Sequence, residues 1–288
     1  MAIEKSKDRL QVLERIDEYE RKGWFTKDVE EDPPTIPLLP EQIDYTDKKL
    51  SSRINCKIAT FIGISFVKKM IKKGFLVLAE PEGLENYEEI KDKGALITCN
   101  HFNAFDNFAL FFAIDKYLPH HRLWRVIREG NYTNFRGFYG YLFKHCNTLP
   151  LSQNFSTQKK FMAAIKELLE KKEKILIFAE QGMWWNYRKP RPLTAGAYKF
   201  AAQNNVPVLP CFITLRDTEN IGPDGFPIQE YKVHIMKAIY PDAEKSLKEN
   251  VEYMKNLNYQ MNKDLYEKTY GIPLEYLKDE ESEKSKSE

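Results

Sequence analysis

The sequence lacks most signatures of a metal site or a cysteine or serine nucleophile. Its four cysteines form no Cys-x-x-Cys pair, and none lies at metal-ligand spacing from a histidine. There is no Gly-x-Ser-x-Gly elbow, which excludes a serine hydrolase of that type. We therefore expect free, mostly buried thiols in a reducing compartment, and no metal site.

A charge imbalance and a long apolar run are lacking too. The 44 basic and 42 acidic residues leave a net charge of +2, which favours no particular partner. No nucleic-acid recognition module is present, so no nucleic-acid partner is expected. The N-terminus is charged throughout, without the apolar core of a signal peptide, which predicts a cytoplasmic location.

The chain divides into four parts by composition. Residues 1–50 are predicted to hold an N-terminal helix, over 4–22, and a connector with four prolines over 30–42. Residues 51–74 form a separate amphipathic helix, and residues 75–272 form the main domain. Residues 273–288 have the composition of a charged disordered tail.

The helix at 51–74 combines an apolar centre with basic ends. Its uncharged core, residues 58–67, is much shorter than the ~20 apolar residues that span a bilayer. An apolar helix with a basic collar suits the interface of an anionic membrane. The alternative is an amphipathic helix packed on the core with solvated lysines.

From residue 75 short apolar runs alternate with helical patterns. ALITC, ILIFAE and VPVLPCFITL have strand character, and the segments after each are predicted to be helical or to be loops. This alternation predicts an α/β fold: a central mixed, mostly parallel sheet flanked by helices, with the N-terminal helical extension outside it.

His101 follows one of these strands, where ligands collect in open α/β sheets. Asp106 lies five residues later, about 140° away on an unbroken helix, so the two side chains can meet only if His101 lies in the loop. An aspartate that accepts from one imidazole nitrogen leaves the other as a base. A satisfied buried histidine beside a helix-capping aspartate is the alternative.

A second polar stretch follows the strand that ends at Glu180. It contains a glycine, two tryptophans and three basic residues: Gly182, Trp184, Trp185, Arg188, Lys189 and Arg191. Glycine allows the backbone to approach a ligand closely, and the cations could hold a phosphate or carboxylate. The tryptophans suit a membrane boundary or an acyl groove. An aromatic-lined core loop with solvated basic residues is the alternative.

Four segments together resemble the glycerolipid acyltransferase family, the lysophosphatidate acyltransferase-like enzymes with a His-x4-Asp motif. In chain order they are NHFNAFD (100–106), RGFYGYLFKHCNTLPLS (136–152), IFAEQGMWW (177–185) and LTAGAYKFAAQNNVPVLP (193–210). We refer to them as the first to fourth blocks. The arginines that end the family's second and third blocks are absent here.

The resemblance implies that His101 is the general base and that Asp106 orients it. It also implies an acyl thioester donor, acyl-CoA or acyl-carrier protein, with no bound cofactor and no metal. The implied acceptor is a lysophospholipid such as 1-acyl-glycerol-3-phosphate. The implied location is the inner face of the membrane, where the enzyme would bind as a peripheral protein. The expected substrate-binding residues are Asn100, Gly140, Glu180, Gln181, Gly182, Arg188 and Arg191, the last two as substitutes for the missing arginines.

Two other functions remain open from the residues. The altered third block motivates a non-catalytic lipid-binding, membrane-associated protein on an acyltransferase scaffold. A thioester hydrolase would use the same histidine to activate water.

Overall fold

A computed structural model describes residues 4–31 and 34–278. Within them, seven strands alternate with eight helices. The strands are β1 (Val77–Leu78), β2 (Ala95–Thr98), β3 (Trp124–Arg128), β4 (Thr148–Leu151), β5 (Lys174–Ile177), β6 (Val208–Ile221) and β7 (Pro227–Ile235). The helices are α1 (Lys7–Arg21), α2 (Leu50–Lys72), α3 (Asp106–Ile114), α4 (Glu129–Thr133), α5 (Gly137–His145), α6 (Phe155–Glu170), α7 (Gly196–Asn204) and α8 (Leu247–Tyr270).

The strands form one sheet in the order β1-β7-β6-β2-β5-β3-β4. Only β6 and β7 pair antiparallel, since they are joined by a short hairpin, and the other neighbours are parallel. The predicted mixed, mostly parallel sheet with flanking helices is therefore confirmed. The central strand β2 is buried on both faces, as a parallel strand covered by helices must be.

Two hydrophobic clusters cover the two faces of the sheet. Successive side chains of a strand point to opposite faces, and β2 shows this directly. Ile97 belongs to the cluster that contains α3, whereas Leu96 belongs to the cluster that contains α6 and α7. The sheet is thus the middle layer, and β2 lies at its centre between β6 and β5.

A third cluster joins the N-terminal segment to the third block. Val12, Ile16 and Val29 pack against Trp184 and Trp185, which are both buried. The two tryptophans therefore lie in an aromatic core loop, which was the alternative considered above, and their burial is against a membrane-boundary role. The expected tail at 273–288 lies outside the described residues from 279 onward.

Helix α2 has two apolar faces. Small side chains, Cys56, Ala59 and Gly63, lie on the buried face and allow close packing against α5. The opposite face carries large exposed side chains: Leu50, Ile54, Ile58 and Phe61. In the part of the chain that the structure describes, no helix is both long and apolar enough to cross a bilayer.

Candidate active site

His101 lies in the loop that connects β2 to α3, at the carboxyl edge of the sheet. Asp106 is the first residue of α3, where the helix dipole favours a carboxylate. The loop turns the histidine back over the start of the helix. The structure thus brings together the two side chains that an unbroken helix would hold apart.

Nδ1 of His101 lies 2.8 Å from Oδ2 of Asp106. The same oxygen accepts from the backbone N–H groups of Phe102, at 3.1 Å, and Asn103, at 3.2 Å. The Asp106 side chain is fully buried. Because a carboxylate can only accept, Nδ1 is the donor in this contact, and in the neutral form of the ring Nε2 keeps its lone pair.

The imidazole ring stacks on Phe178, with ring centroids 4.0 Å apart and planes inclined by 15°. Within residues 4–31 and 34–278, Nε2 has no hydrogen-bond partner, and the side chain is 22% exposed. The ring is therefore fixed at one nitrogen and on one face, and its basic nitrogen is free to meet a substrate. Phe178 was missed by the sequence analysis, although it lies only two residues before Glu180.

The backbone of His101 is held by the third block and by Arg191, which follows that block. Its N–H donates to Oε2 of Glu180 at 3.2 Å. Its carbonyl accepts from the N–H of Trp184 and from Nη2 of Arg191, both at 3.1 Å. These contacts join two blocks that lie about 80 residues apart in the sequence.

Glu180 and Arg191 form a buried ion pair with Nη2–Oε2 at 2.9 Å. Nε of the arginine also donates to Oε2 of Glu180, at 3.1 Å, while Nη1 and Nη2 donate to the backbone carbonyls of Phe25 and Gly182. Burial of such a pair is tolerated only when its other donors and lone pairs are satisfied, as they are here. Arg191 is fully buried with Nε, Nη1 and Nη2 all engaged by protein groups, and it supports the loop of His101 from behind.

Arg188 has a different environment. Its Nη2 donates to Oδ1 of Asp217 at 2.6 Å and to Oε1 of Gln229 at 3.2 Å. The side chain is 37% exposed. Arg188 and Arg191 were the two arginines predicted as phosphate ligands. Arg188 is accessible to solvent, whereas Arg191 is fully buried.

Gly140 and Gly182 were expected to lie close to a substrate. In the structure each of them lies close to protein backbone instead. A Cβ on Gly182 would lie 2.6 Å from the carbonyl oxygen of Lys27, and one on Gly140 would lie 2.3 Å from that of Phe135. Both distances are too short for any side chain. The close approach predicted for Gly182 exists, but the N-terminal segment makes it.

Asn100 is buried and bridges β2 to β6. Its Nδ2 donates to the carbonyl of Ile213 at 3.0 Å, and its Oδ1 accepts from the N–H of Ile213 at 2.8 Å. Its amide is thus occupied by the sheet. Gln181 is exposed, with φ of 68° in the left-handed region, and follows Glu180 directly.

The N-terminal segment contributes to this loop as well, which the sequence analysis missed. The indole N–H of Trp184 donates to the carbonyl of Lys27 at 2.8 Å. The N–H of Met183 donates to Oδ1 of Asp28 at 3.2 Å. No local pattern could have predicted these contacts, because the partners lie more than 150 residues apart.

Comparison with known proteins gives a family match over the centre of the chain. Residues 78–214 match the family model described as Acyltransferase, and this range includes all four blocks. A search of curated proteins finds no significant match. Among solved structures, the 1-acyl-sn-glycerophosphate (LPA) acyltransferase PlsC from Thermotoga maritima is similar, with 17% identity and a TM-score of 0.48. The alignment covers 77% of this chain and 98% of that chain. Residues 78–214 thus match the acyltransferase family, in agreement with the resemblance of the four blocks.

Proposed function

We propose that this protein is an acyltransferase that moves a fatty acyl group from an acyl thioester to a hydroxyl group of a lysophospholipid, such as 1-acyl-glycerol-3-phosphate. The donor is acyl-CoA or acyl-carrier protein. The observation that carries the proposal is the His101–Asp106 pair, with Nδ1 held at 2.8 Å and Nε2 open. A base with one nitrogen fixed and the other exposed needs only a substrate hydroxyl to complete a triad.

In the proposed reaction Nε2 of His101 removes the hydroxyl proton as the oxygen attacks the thioester carbonyl. The buried carboxylate of Asp106 stabilises the resulting imidazolium. The tetrahedral intermediate then expels the thiolate, which takes the proton from Nε2. The new ester and a free thiol are the products. Positioned general-base catalysis of this kind contributes about 10²–10⁴-fold.

Arg188 is the proposed contact for the acceptor phosphate. A partly exposed guanidinium can exchange a surface carboxylate partner such as Asp217 for a phosphate at little cost, because exposed ion pairs contribute little. Arg191 is assigned a positioning role, since its donors are already engaged.

Helix α2 is proposed to rest on an anionic membrane surface and to bring the site to its lipid acceptor. Leu50, at 65% exposure, and Phe61, at 72%, define its outer apolar face. Six exposed cations belong to the same helix and its end: Arg53, Lys57, Lys68, Lys69, Lys72 and Lys73. Apolar side chains beside cations complement both layers of an anionic lipid interface.

The test is acyl transfer from radiolabelled acyl-CoA and acyl-carrier protein to a panel of lysolipids. We expect product with a phosphate-bearing lysolipid, and loss of product in His101→Ala with the fold retained. The matched control is His120→Asn, at an exposed residue with φ of 53°, which asparagine also adopts. Its activity should equal that of the parent.

Two results would replace the proposal. Release of free fatty acid without any acceptor would identify a thioester hydrolase. Binding of lysolipid without product from any donor would identify a lipid-binding protein on this scaffold. Full transfer activity in a folded His101→Ala protein would remove the role of the histidine.

A further inference from the structure

Five consecutive residues at the start of α5 are exposed to solvent, and three of them are aromatic. They are Phe135, Arg136, Gly137, Phe138 and Tyr139. Tyr139 is 56% exposed, and the two phenylalanines are exposed to 40% and 43%. Large apolar side chains that lie together at the surface indicate an interaction site. We refer to residues 135–139 as the aromatic turn.

The backbone holds the aromatic turn in a tight bend. Gly137 has φ of 63°, in the left-handed region that glycine adopts freely. The N–H of Gly140 donates to the carbonyl of Arg136 at 3.3 Å. Because the same glycine lacks a Cβ, the carbonyl of Phe135 can lie close against it. Both glycines therefore serve the bend that leaves the aromatic side chains exposed.

A row of ring contacts links the aromatic turn to the candidate active site. The centroid of the Tyr139 ring lies 5.3 Å from that of Phe138. The Phe138 ring in turn lies 5.4 Å from Phe66 of α2, and both contacts are edge-to-face. Phe66 lies 6.4 Å from Phe105, the residue directly before Asp106. The aromatic turn, α2 and the loop of the candidate base therefore form one packed unit.

The two chain segments that meet in this row carry charge of one sign. Residues 48–79, which include α2, and residues 130–154, which include α5, contain ten lysines and arginines and no aspartate or glutamate. The whole chain has almost equal numbers, 44 basic and 42 acidic. All ten of these cations are exposed, and α2 packs directly against α5. The two helices therefore present cations beside exposed rings, which is complementary to an anionic surface.

We propose that the aromatic turn inserts into an anionic membrane as a second anchor beside α2, an inference that rests on the proposed docking of α2 on the same lipid. The phenylalanines enter the acyl boundary, Tyr139 stays at the level of the headgroups, and Arg136 pairs with a lipid phosphate. An exposed turn can enter lipid without the matching groove that a protein partner would have to supply. Two anchors joined through Phe66 hold the loop of His101 at the lipid surface and prevent rotation about α2 alone.

The test is co-sedimentation of the full chain, carrying His101→Ala, with vesicles of phosphatidylglycerol and phosphatidylcholine in equal parts. We expect Tyr139→Ser and Phe138→Ser each to lower the partition coefficient roughly three- to tenfold, because binding scales with the apolar area that enters the lipid. Arg136→Gln should lower it about fivefold at low salt and less at high salt. Among the rings of residues 4–31 and 34–278, Tyr139 packs on Phe138 alone, so Tyr139→Ser should stay folded even where Phe138→Ser disturbs α2.

Tyr253→Ser is the matched control. Tyr253 is 39% exposed on α8, whose buried side packs in the cluster on the opposite face of the sheet. The substitution should leave vesicle binding unchanged. No loss of binding in Tyr139→Ser, or an equal loss in Tyr253→Ser, would overturn the proposal. Loss of binding to acyl-carrier protein with vesicle binding intact would overturn it too, because the aromatic turn would then meet a protein.

The vesicle experiment and the acyl-transfer experiment can fail independently. Weaker vesicle binding in Tyr139→Ser, with no acyl product from the unmodified chain, would support the anchor and reject the proposed enzyme. Acyl product from the unmodified chain, with vesicle binding unaffected by Tyr139→Ser, would reject the anchor alone. An unmodified chain that does not bind these vesicles would overturn both anchors.

Discussion

The carbonyl oxygen of His101 accepts a hydrogen bond from Nη2 of Arg191 at 3.1 Å, across 90 residues of sequence. The same guanidinium pairs with Glu180, whose carboxylate accepts from the N–H of His101. The base is thus held through its side chain by Asp106 and through its backbone by a buried ion pair. A substitution in that ion pair should therefore shift the imidazole of His101, although the pair contacts only the backbone of that residue.

Arg191→Lys should lower kcat and leave the KM for lysolipid nearly unchanged. Lysine keeps the charge but cannot reproduce the planar fork that reaches Glu180, Gly182 and His101 together. Arg191→Met should also destabilise the fold by about 3–5 kcal/mol, because Glu180 would be left buried and unpaired. Steady-state kinetics and urea unfolding measure the two effects.

Arg188→Lys is the matched comparison for that prediction. It should raise KM and leave stability nearly unchanged, since Arg188 is partly exposed and is proposed to meet the acceptor phosphate. A rise in KM alone for Arg191→Lys, with kcat intact, would show that Arg191 meets substrate and does not position the base.

Asp106→Asn should lower kcat by about 10²–10⁴-fold with the fold retained. Asparagine can still accept from the backbone N–H groups of the loop, but it no longer stabilises an imidazolium. Steady-state kinetics measure the loss of kcat, and circular dichroism checks that the fold is retained. Asp115→Asn is the control, because Asp115 makes a similar contact with His121, at 3.0 Å, on the surface. It should change activity little.

Ile54→Glu and Phe61→Glu should each reduce binding to vesicles of anionic phospholipid. Both side chains are on the exposed face of α2, so a carboxylate there opposes both burial in the interface and the surface potential. Sedimentation with anionic and zwitterionic vesicles measures the effect. Leu10→Glu, at an exposed leucine of α1, should leave binding unchanged. Equal losses from all three variants would argue against a role for this face.

Asp47→Asn should stabilise the protein at pH 8 and have little effect near pH 4. Burial raises the pKa of Asp47 from 3.8 to about 6, so the folded state keeps a proton that the unfolded chain has lost. The favourable contribution is therefore full below about pH 4 and is lost as pH rises through 6. Asparagine removes this dependence and accepts the φ of 53°. The gain at pH 8 should be roughly 1–3 kcal/mol.

Urea unfolding at both pH values measures the gain. Asp92→Asn, at an exposed aspartate, is the control and should change stability little. A gain at pH 4 as large as that at pH 8 would contradict the assigned titration.

The sheet and the His101–Asp106 pair could be predicted from the sequence because their signals are local. The apolar run ALIT predicts a strand, and the residues after it place the histidine in a loop before a helix that begins at Asp106.

The surroundings of the pair could not be predicted, because they depend on contacts between distant segments. Gly182 leaves room for the backbone of Lys27, where a side chain would not fit. Asn100 is hydrogen-bonded to the backbone of Ile213, 113 residues later. Arg191 carries the chemistry of a phosphate ligand, but the fold surrounds it with Glu180 and carbonyl groups. The residue type predicts what a side chain can bind, and only the tertiary structure decides which partner it finds.

The bridge between Asn100 and Ile213 also bears on biosynthesis. The loop of His101 gains this anchor only after β6 has left the ribosome, 113 residues behind it. At ordinary rates of translation that delay is about 6–23 s. A nascent chain therefore lacks this anchor while 113 of its 288 residues are added, and the loop of His101 is complete only when β6 has emerged.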